Sequence, residues 1–203
     1  MIVIINYGAS NLRSIVNKIE RIGVKTIVTA RPQVITKAEK IILPGVGHFA
    51  MGMESLKKTH LIPVLNKKVI DEKVPILGIC LGLQFFSLWG EEGNVRGLGW
   101  IKAKTKKFNF PNNNLKIPHM GWNTLKIKRK SLLFNGIQRD ARFYFVHSYH
   151  VCCQDDEDIL ATTNYGYDFV SAIQHENIYG TQFHPEKSHQ DGMQIIRNFM
   201  EKI

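Results

Sequence analysis

The sequence predicts an α/β fold, a central, mostly parallel sheet with helices on both faces. Short apolar runs recur over residues 1–80 and alternate with segments of helical periodicity. These runs are apolar on both sides, as expected for strands that are covered on both faces. From residue 97 to residue 183 the pattern changes to short alternating segments separated by turn signals, which predicts antiparallel additions to the sheet.

The first half predicts successive strand–helix units. Strands are predicted at 2–5, 24–29, 40–44 and 74–80, and helices at 10–22, 32–38, from about 51 onward, and at 61–72. In the second half, 143–147 and 169–173 are predicted strands, and a closing helix is predicted over 191–202. Since no repeat, low-complexity tract or linker interrupts the chain, one domain covering 1–203 is expected.

Composition excludes several classes of protein. Hydrophobic residues make up 44% of the chain and charged residues 22%, which is ordinary for a globular protein with a core. The N-terminal segment lacks a basic region and a small-residue cleavage site, so it is predicted to be a first strand rather than a signal peptide. No apolar run approaches membrane-spanning length. Three cysteines, with Cys152 and Cys153 adjacent, fit neither a disulfide framework nor a zinc site, which favours a cytoplasmic location.

The formal net charge of +10 raises the question of a nucleic-acid partner. Lysines are scattered, with local clusters at 102–107 and 126–130, in alternating segments that predict exposed strand faces. No nucleic-acid-binding module is recognisable, so no nucleic acid is expected. A solvated basic surface is the favoured interpretation, and a face toward an anionic partner or phosphorylated substrate is the alternative.

A cysteine lies at the most informative turn. The strand at 74–80 runs into Gly78-x-Cys80-x-Gly82, and 83–89 can continue as a helix. This is the nucleophile-elbow pattern with cysteine in the serine position, where small neighbours are needed because the turn is strained. The elbow places Cys80 at a helix N-terminus, which favours the thiolate. The alternative is a small buried cysteine on an ordinary turn.

A thiol nucleophile needs a base and a residue that orients the base. His184 follows a predicted strand, and in extended backbone Glu186, two residues on, projects to the same side and can hydrogen-bond one ring nitrogen. The alternative is a surface turn. His119, His147 and His150 are rival bases, but none has an acid at comparable spacing.

The reaction also needs an oxyanion hole, a set of N–H donors for the charge that develops on the substrate oxygen. The elbow supplies the N–H of Leu81. A second donor can come from the peptide around Val46 in the Pro-Gly-Val-Gly segment at 44–47, at the carboxyl end of a strand. A plain loop is the alternative for that segment.

These segments carry a family resemblance. Residues 44–47, 78–84 and 182–186 resemble the class I, triad-type glutamine amidotransferases, and 7–14, 118–123, 145–149 and 184–188 resemble the glutaminase subunits of imidazole glycerol phosphate synthases. The resemblance covers the whole chain and implies a flavodoxin-like α/β domain that hydrolyses L-glutamine to glutamate and ammonia. It further implies a heterodimer in which ammonia passes to a separate (β/α)8-barrel synthase subunit in histidine biosynthesis, without cofactor or metal.

The resemblance also implies individual roles. Cys80 attacks the glutamine amide carbon, His184 shuttles the proton, and Glu186 orients the imidazole. Positions that hold the substrate match Gly47, Gln84, Glu92, Ser148 and Tyr149, with the choice between Glu91 and Glu92 open by one residue. Positions at the synthase interface and ammonia route match Asn11, Trp122, Tyr144 and Lys187.

Two departures put only the ammonia acceptor in question. Asn6 stands where the family commonly has aspartate, and His150 where it commonly has tyrosine. With 142–145 and 184–189, they resemble a paralogous branch found with surface-polysaccharide genes, which implies amidation of a sugar. Two other functions stay open: a hydrolase of the same fold with an elbow cysteine, peptidase-like or deglycase-like, and a non-catalytic basic binding module.

Overall fold

The central feature of the fold is an eight-stranded sheet. The computed structural model describes residues 1–8, 12–111 and 115–203. With strands numbered in chain order, the sheet has the spatial order β2 (Thr26–Thr29), β1 (Ile2–Ile5), β3 (Lys40–Gly45), β4 (Ile76–Cys80), β14 (Ile178–Thr181), β13 (Tyr167–His175), β12 (Ile159–Tyr165) and β9 (Lys126–Ile127).

The sheet has a parallel half and an antiparallel half. β2, β1, β3, β4 and β14 pair in parallel, and β13, β12 and β9 are added antiparallel. Parallel neighbours need long crossover connections, and helices supply most of them. The prediction of a mostly parallel sheet with antiparallel additions is confirmed.

Two smaller sheets and six α-helices, together with one short π-helical and three 3-10-helical segments, complete the described elements. β10 (Arg142–His147) pairs with β8 (His119–Thr124), and a second small sheet has the order β11 (Tyr149–Cys153), β7 (Ala103–Lys107), β5 (Trp89–Gly90) and β6 (Val95–Arg96). The helices are α1 (Leu12–Glu20), α2 (Pro32–Ile35), α3 (Phe49–Lys58), α4 (Leu61–Asn66), α5 (Leu81–Gln84) and α6 (His189–Lys202). Within the described ranges, no helix has the length and apolar character needed to span a bilayer.

The core lies on both faces of the large sheet. Val3 and Ile5 of β1 belong to one buried cluster, whereas Ile4, between them, belongs to the other. In β3, Leu43 belongs to the same cluster as Val3 and Ile5, and Ile42 belongs to the cluster of Ile4. Because successive strand residues point to opposite faces, runs that are apolar throughout require cover on both sides.

The register of the parallel strands gathers three chain segments at one edge. Gly45 of β3 lies beside Cys80 of β4, and Thr181 of β14 lies beside Ile79. The segments that follow these strands therefore start from neighbouring points. Such carboxyl edges are where open parallel sheets bind ligands.

The helix after Cys80 is shorter than predicted. α5 ends at Gln84, and the chain returns to a strand at Trp89. The Phe85 carbonyl accepts from the Leu98 N–H at 2.7 Å, and other backbone N–H groups of 97–101 bond to 86–88. These bonds to a neighbouring segment replace those that would extend the helix.

Candidate active site

Cys80 occupies a strained turn that glycines make possible. It joins β4 directly to α5 with φ +53° and ψ −109°, a backbone region that L-residues rarely adopt and that is concentrated at functional sites. A Cβ at Gly82 would lie 1.8 Å from the Leu43 carbonyl oxygen, and one at Gly78 would lie 2.6 Å from the Phe86 ring. Larger residues at these two positions would displace the strand or the helix that holds the cysteine.

His184 and Glu186 form a buried pair. His184 Nδ1 lies 2.8 Å from Glu186 Oε1, and the two residues are 1% and 7% exposed. The His184 backbone N–H donates to the Tyr144 carbonyl at 2.9 Å, which ties the residue to β10. The carboxylate therefore fixes Nδ1 as the protonated nitrogen and leaves Nε2 free for chemistry.

The backbone between these two residues differs from the sequence prediction. Instead of continuing extended, Pro185–Lys187 forms a 3-10 turn. The Lys187 and Ser188 N–H groups donate back to the carbonyls of His184 and Pro185 at 3.0 Å, and the proline opens the turn with its fixed φ. The turn, rather than strand alternation, returns the Glu186 carboxylate to the imidazole.

Charge in the site favours an imidazolium. Burial by itself would lower the pKa of His184, but the Cys80 thiolate and the Glu186 carboxylate raise that pKa to about 10. Since Nδ1 is held by Glu186, Nε2 is the ring nitrogen left available to the Cys80 sulfur. The arrangement can keep the imidazolium protonated near neutral pH and supply a proton to a leaving group.

A cavity of about 290 Å³ opens onto the sulfur. Its volume suits a small metabolite rather than a polymer segment. Most of the site residues predicted from the sequence line this cavity: Val46, Gly47, Cys80, Leu81, Gln84, Glu92, Ser148, Tyr149 and His184. Pro118, Val146 and His147 complete its lining. Glu186 is not among the residues that line the cavity, but its carboxylate contacts His184, which is.

The structure distinguishes Glu92 from Glu91. Glu92 lines the cavity, and its Oε2 accepts from the Phe49 N–H at the start of α3, at 2.6 Å. Glu91 Oε2 instead accepts from the Lys107 N–H at 2.7 Å, in the small sheet. Glu92 is therefore the carboxylate that can meet an ammonium group of a ligand in the cavity.

The two candidate oxyanion donors lie on adjacent segments. Leu81 and Val46 directly follow Cys80 and Gly45, which are partners in the β3–β4 register, and both line the cavity. Gly47 has φ +104°, a conformation for which glycine is suited. The sheet therefore places the Val46 peptide beside the elbow.

The rival histidines have other partners. His147 lines the cavity, but its Nδ1 lies 2.8 Å from the Tyr149 carbonyl and its Nε2 lies 3.1 Å from His119 Nδ1. His150 Nε2 lies 2.7 Å from the Tyr167 hydroxyl. Burial lowers the pKa of all three, to about 4 for His119 and His150. These residues form a neutral, hydrogen-bonded layer beside the site.

Three of the predicted interface residues lie together. Tyr144 and Trp122 are paired across β10 and β8, and the Lys187 ammonium lies 5.6 Å from the centre of the Tyr144 ring. His189, at the start of α6, stacks on Trp122 with ring centres 4.8 Å apart. We call these four residues the aromatic rim. Asn11 lies outside the described residues.

Gln182 is a residue of the site that the sequence motifs did not reveal. This residue is fully buried, and its side-chain Nε2 donates to Cys80 Sγ at 3.6 Å. A signal was available, because Gln182 precedes His184 by two positions in a segment predicted to be extended, so both side chains could project to the same side.

Comparison with known proteins agrees with this geometry. The family model described as "Glutamine amidotransferase class-I" matches residues 3–203. Curated proteins named imidazole glycerol phosphate synthase subunit HisH 2, from Methanococcus maripaludis and Pseudomonas aeruginosa, are 52% and 44% identical to the chain over 100% of both sequences. A protein named imidazole glycerol phosphate synthase subunit HisH, from Leptospira borgpetersenii, is 43% identical over 98% of each.

Solved structures share the fold at low identity. A structure described as a glutamine amidotransferase has a TM-score of 0.74 at 16% identity and covers 98% of this chain and 97% of its own. The PurLQS structure from Thermotoga maritima gives a TM-score of 0.72 at 16% identity, over 99% of this chain and 97% of that one. These likenesses support the fold class.

Proposed function

Because the chain belongs to the class-I glutamine amidotransferase family, we propose that it is the glutaminase subunit of an imidazole glycerol phosphate synthase, acting in the cytoplasm. In this role it hydrolyses L-glutamine and passes the ammonia to a (β/α)8-barrel synthase subunit in histidine biosynthesis. The observation that carries the proposal is the convergence of Cys80, His184 and Glu92 on one small cavity, with Glu186 on the imidazole.

The first half of the proposed reaction forms a thioester. The Cys80 thiolate attacks the side-chain amide carbon of glutamine, a C–S bond forms, and the carbonyl electron pair moves to oxygen. The N–H groups of Leu81 and Val46 stabilise that oxygen. When the carbonyl re-forms, the C–N bond breaks and the departing nitrogen takes the proton from His184 Nε2, so ammonia leaves as a neutral molecule.

The second half releases glutamate. The neutral His184 imidazole removes a proton from water, whose oxygen attacks the thioester carbon, and the C–S bond breaks to return the thiolate. Glu186 stabilises the imidazolium each time it forms. Glu92 is the proposed partner of the substrate α-ammonium group, with Gly47, Gln84, Ser148 and Tyr149 as the other walls of the cavity.

We propose that the aromatic rim forms part of the face that meets the barrel subunit. The rim lies next to the active site because Lys187 and His189 follow His184 closely in the chain. In addition, the Tyr144 carbonyl accepts a hydrogen bond from the His184 backbone N–H. The rim offers aromatic and cationic side chains. Tyrosine and tryptophan in particular are enriched at protein interfaces.

Two of the residues behind the sugar-acceptor alternative, Asn6 and His150, lie away from the cavity. Asn6 Oδ1 accepts from the Gly8 N–H at 3.1 Å, and His150 packs between Phe108 and Tyr167, so neither is among the cavity residues. They therefore do not touch the groups proposed to hydrolyse glutamine. The acceptor is a property of the barrel subunit, and the names of the relatives support the histidine-pathway intermediate.

The decisive experiment measures glutamate release by the chain with a barrel subunit present. We expect Cys80→Ala to abolish glutamine hydrolysis, because no other group in the cavity can form the thioester. The variant complex should still use free ammonium, since that chemistry belongs to the partner. Cys152→Ala, a free cysteine outside the cavity, is the matched control. Glutamine-dependent activity of Cys80→Ala near the wild-type rate would refute the assignment.

A further inference from the structure

Gln182 connects the nucleophile to a cavity residue. Its Nε2 donates to Cys80 Sγ at 3.6 Å, and its Oε1 accepts from Gln84 Nε2 at 3.1 Å. Its backbone N–H donates to the Ser171 carbonyl at 2.9 Å, on the neighbouring strand β13. The side chain is therefore held at both ends, with no exposed surface.

The hydrogen-bond network fixes which end of the Gln182 amide faces the sulfur. The Tyr149 carbonyl can only accept, so the Gln84 atom 2.9 Å from it must be the amide nitrogen. The Gln182 atom that meets this same nitrogen must then be an oxygen. The NH₂ group of Gln182 is consequently the group directed at Cys80, whichever way the amide would otherwise be assigned.

The same network extends to the buried histidines. The Tyr149 carbonyl also accepts from His147 Nδ1, so His147 Nε2 must accept from His119 Nδ1. Asn123 completes the chain, with its Nδ2 3.4 Å from His119 Nε2 and 3.0 Å from the Asn164 carbonyl. Each link has one consistent donor and acceptor. The orientation of Gln182 thus rests on a connected hydrogen-bond network rather than on one contact.

We propose that Gln182 is a second, permanent hydrogen-bond donor to the Cys80 thiolate, and that it fixes the position of Gln84 with its other end. The part concerning Gln84 rests on the proposed glutaminase function, whereas the part concerning the sulfur does not. His184 gives up its proton when ammonia leaves, but an amide N–H keeps its proton throughout. Gln182 can therefore stabilise the sulfur both as the attacking thiolate and as the leaving thiolate.

The proposal predicts a measurable change in thiolate formation. The ionisable groups around the sulfur come from four segments of the chain and are left unchanged by substitution of Gln182: Tyr7, Glu92, His147, and the pair His184 and Glu186. A hydrogen bond to a charged group is strong enough that losing it should move the apparent midpoint for Cys80 ionisation upward by roughly one pH unit.

The test is the pH dependence of Cys80 alkylation by iodoacetamide, followed at that residue by mass spectrometry. Gln182→Met keeps the length of the side chain but removes both hydrogen bonds, and Gln182→Glu keeps the acceptor for Gln84 but places a carboxylate beside the sulfur. Thr181→Val is the matched control, because it removes one buried hydrogen bond, to the Phe183 carbonyl, on the same strand. Urea unfolding checks that each variant is folded.

We expect the alkylation midpoint to rise by about one pH unit in both Gln182 variants and to stay at the wild-type value in Thr181→Val. With glutamine as substrate, Gln182→Met should also raise KM, because Gln84 loses a partner, whereas Gln182→Glu should lower kcat with a smaller change in KM. Midpoints equal to wild type in the two folded variants would overturn the proposal. Alkylation needs no glutamine, so this failure is distinct from failure of the glutaminase assignment.

Discussion

Replacing Glu186 by glutamine removes one buried charge while keeping the shape of the side chain. The carboxylate contacts His184 Nδ1 at 2.8 Å, and both residues are almost fully buried, so water cannot readily replace it. A hydrogen bond to a charged group contributes about 1.5–3 kcal/mol. If that stabilisation applies to the imidazolium in the transition state, kcat for glutamine hydrolysis should fall roughly 10- to 150-fold.

The same change should alter the pH profile in one direction. The imidazolium donates the proton to departing ammonia, so activity is lost as pH rises through the pKa of His184. The Cys80 thiolate and Glu186 hold that pKa at about 10 in the intact site. Without the Glu186 charge the pKa falls, and the alkaline limb of the rate profile should move to lower pH by roughly one unit or more.

The assay is steady-state glutamate release by the chain with its barrel subunit, measured across pH for the wild type and three variants. His184→Asn sets the scale for complete loss of the base. Glu176→Gln serves as the control, since that exposed carboxylate pairs with Lys73 outside the cavity. A kcat for Glu186→Gln within twofold of wild type, with an unmoved alkaline limb, would refute the role assigned to Glu186.

Two further predictions concern the elbow and the rim. Gly82→Ala should destabilise the fold by about 3 kcal/mol, since the added Cβ meets a strand carbonyl that cannot move aside. Urea unfolding checks this against Gly23→Ala, whose added Cβ has open space but whose φ of +81° should by itself cost about 1 kcal/mol, and equal losses would contradict it. Trp122→Ala should weaken activation by the barrel subunit several-fold while glutaminase activity of the chain alone is unchanged. Titration of the barrel subunit tests this, with the exposed Leu132→Ala as control, and an unchanged half-saturation point would contradict it.

Local sequence was sufficient where neighbouring residues decide the structure. The apolar runs predicted the strands of the parallel half, because a strand covered on both faces must be apolar throughout. The Gly-x-Cys-x-Gly spacing predicted the turn at Cys80, because only small residues fit around it. The family prediction drawn from these and the other motifs is confirmed by the match over residues 3–203.

Where hydrogen bonds join distant segments, the sequence alone left the outcome open. The choice between Glu91 and Glu92 depended on which carboxylate accepts from the Phe49 N–H and which from the Lys107 N–H. The length of α5 depended on the carbonyls after Gln84, which accept from N–H groups of residues 97–101. The role proposed for Gln182 follows only from the position of its amide between Cys80 and Gln84. Periodicity and turn chemistry are properties of adjacent residues. The partner of a buried polar group is decided by the packing of segments about 100 residues apart, as with Cys80 and Gln182, so only the tertiary structure reveals it.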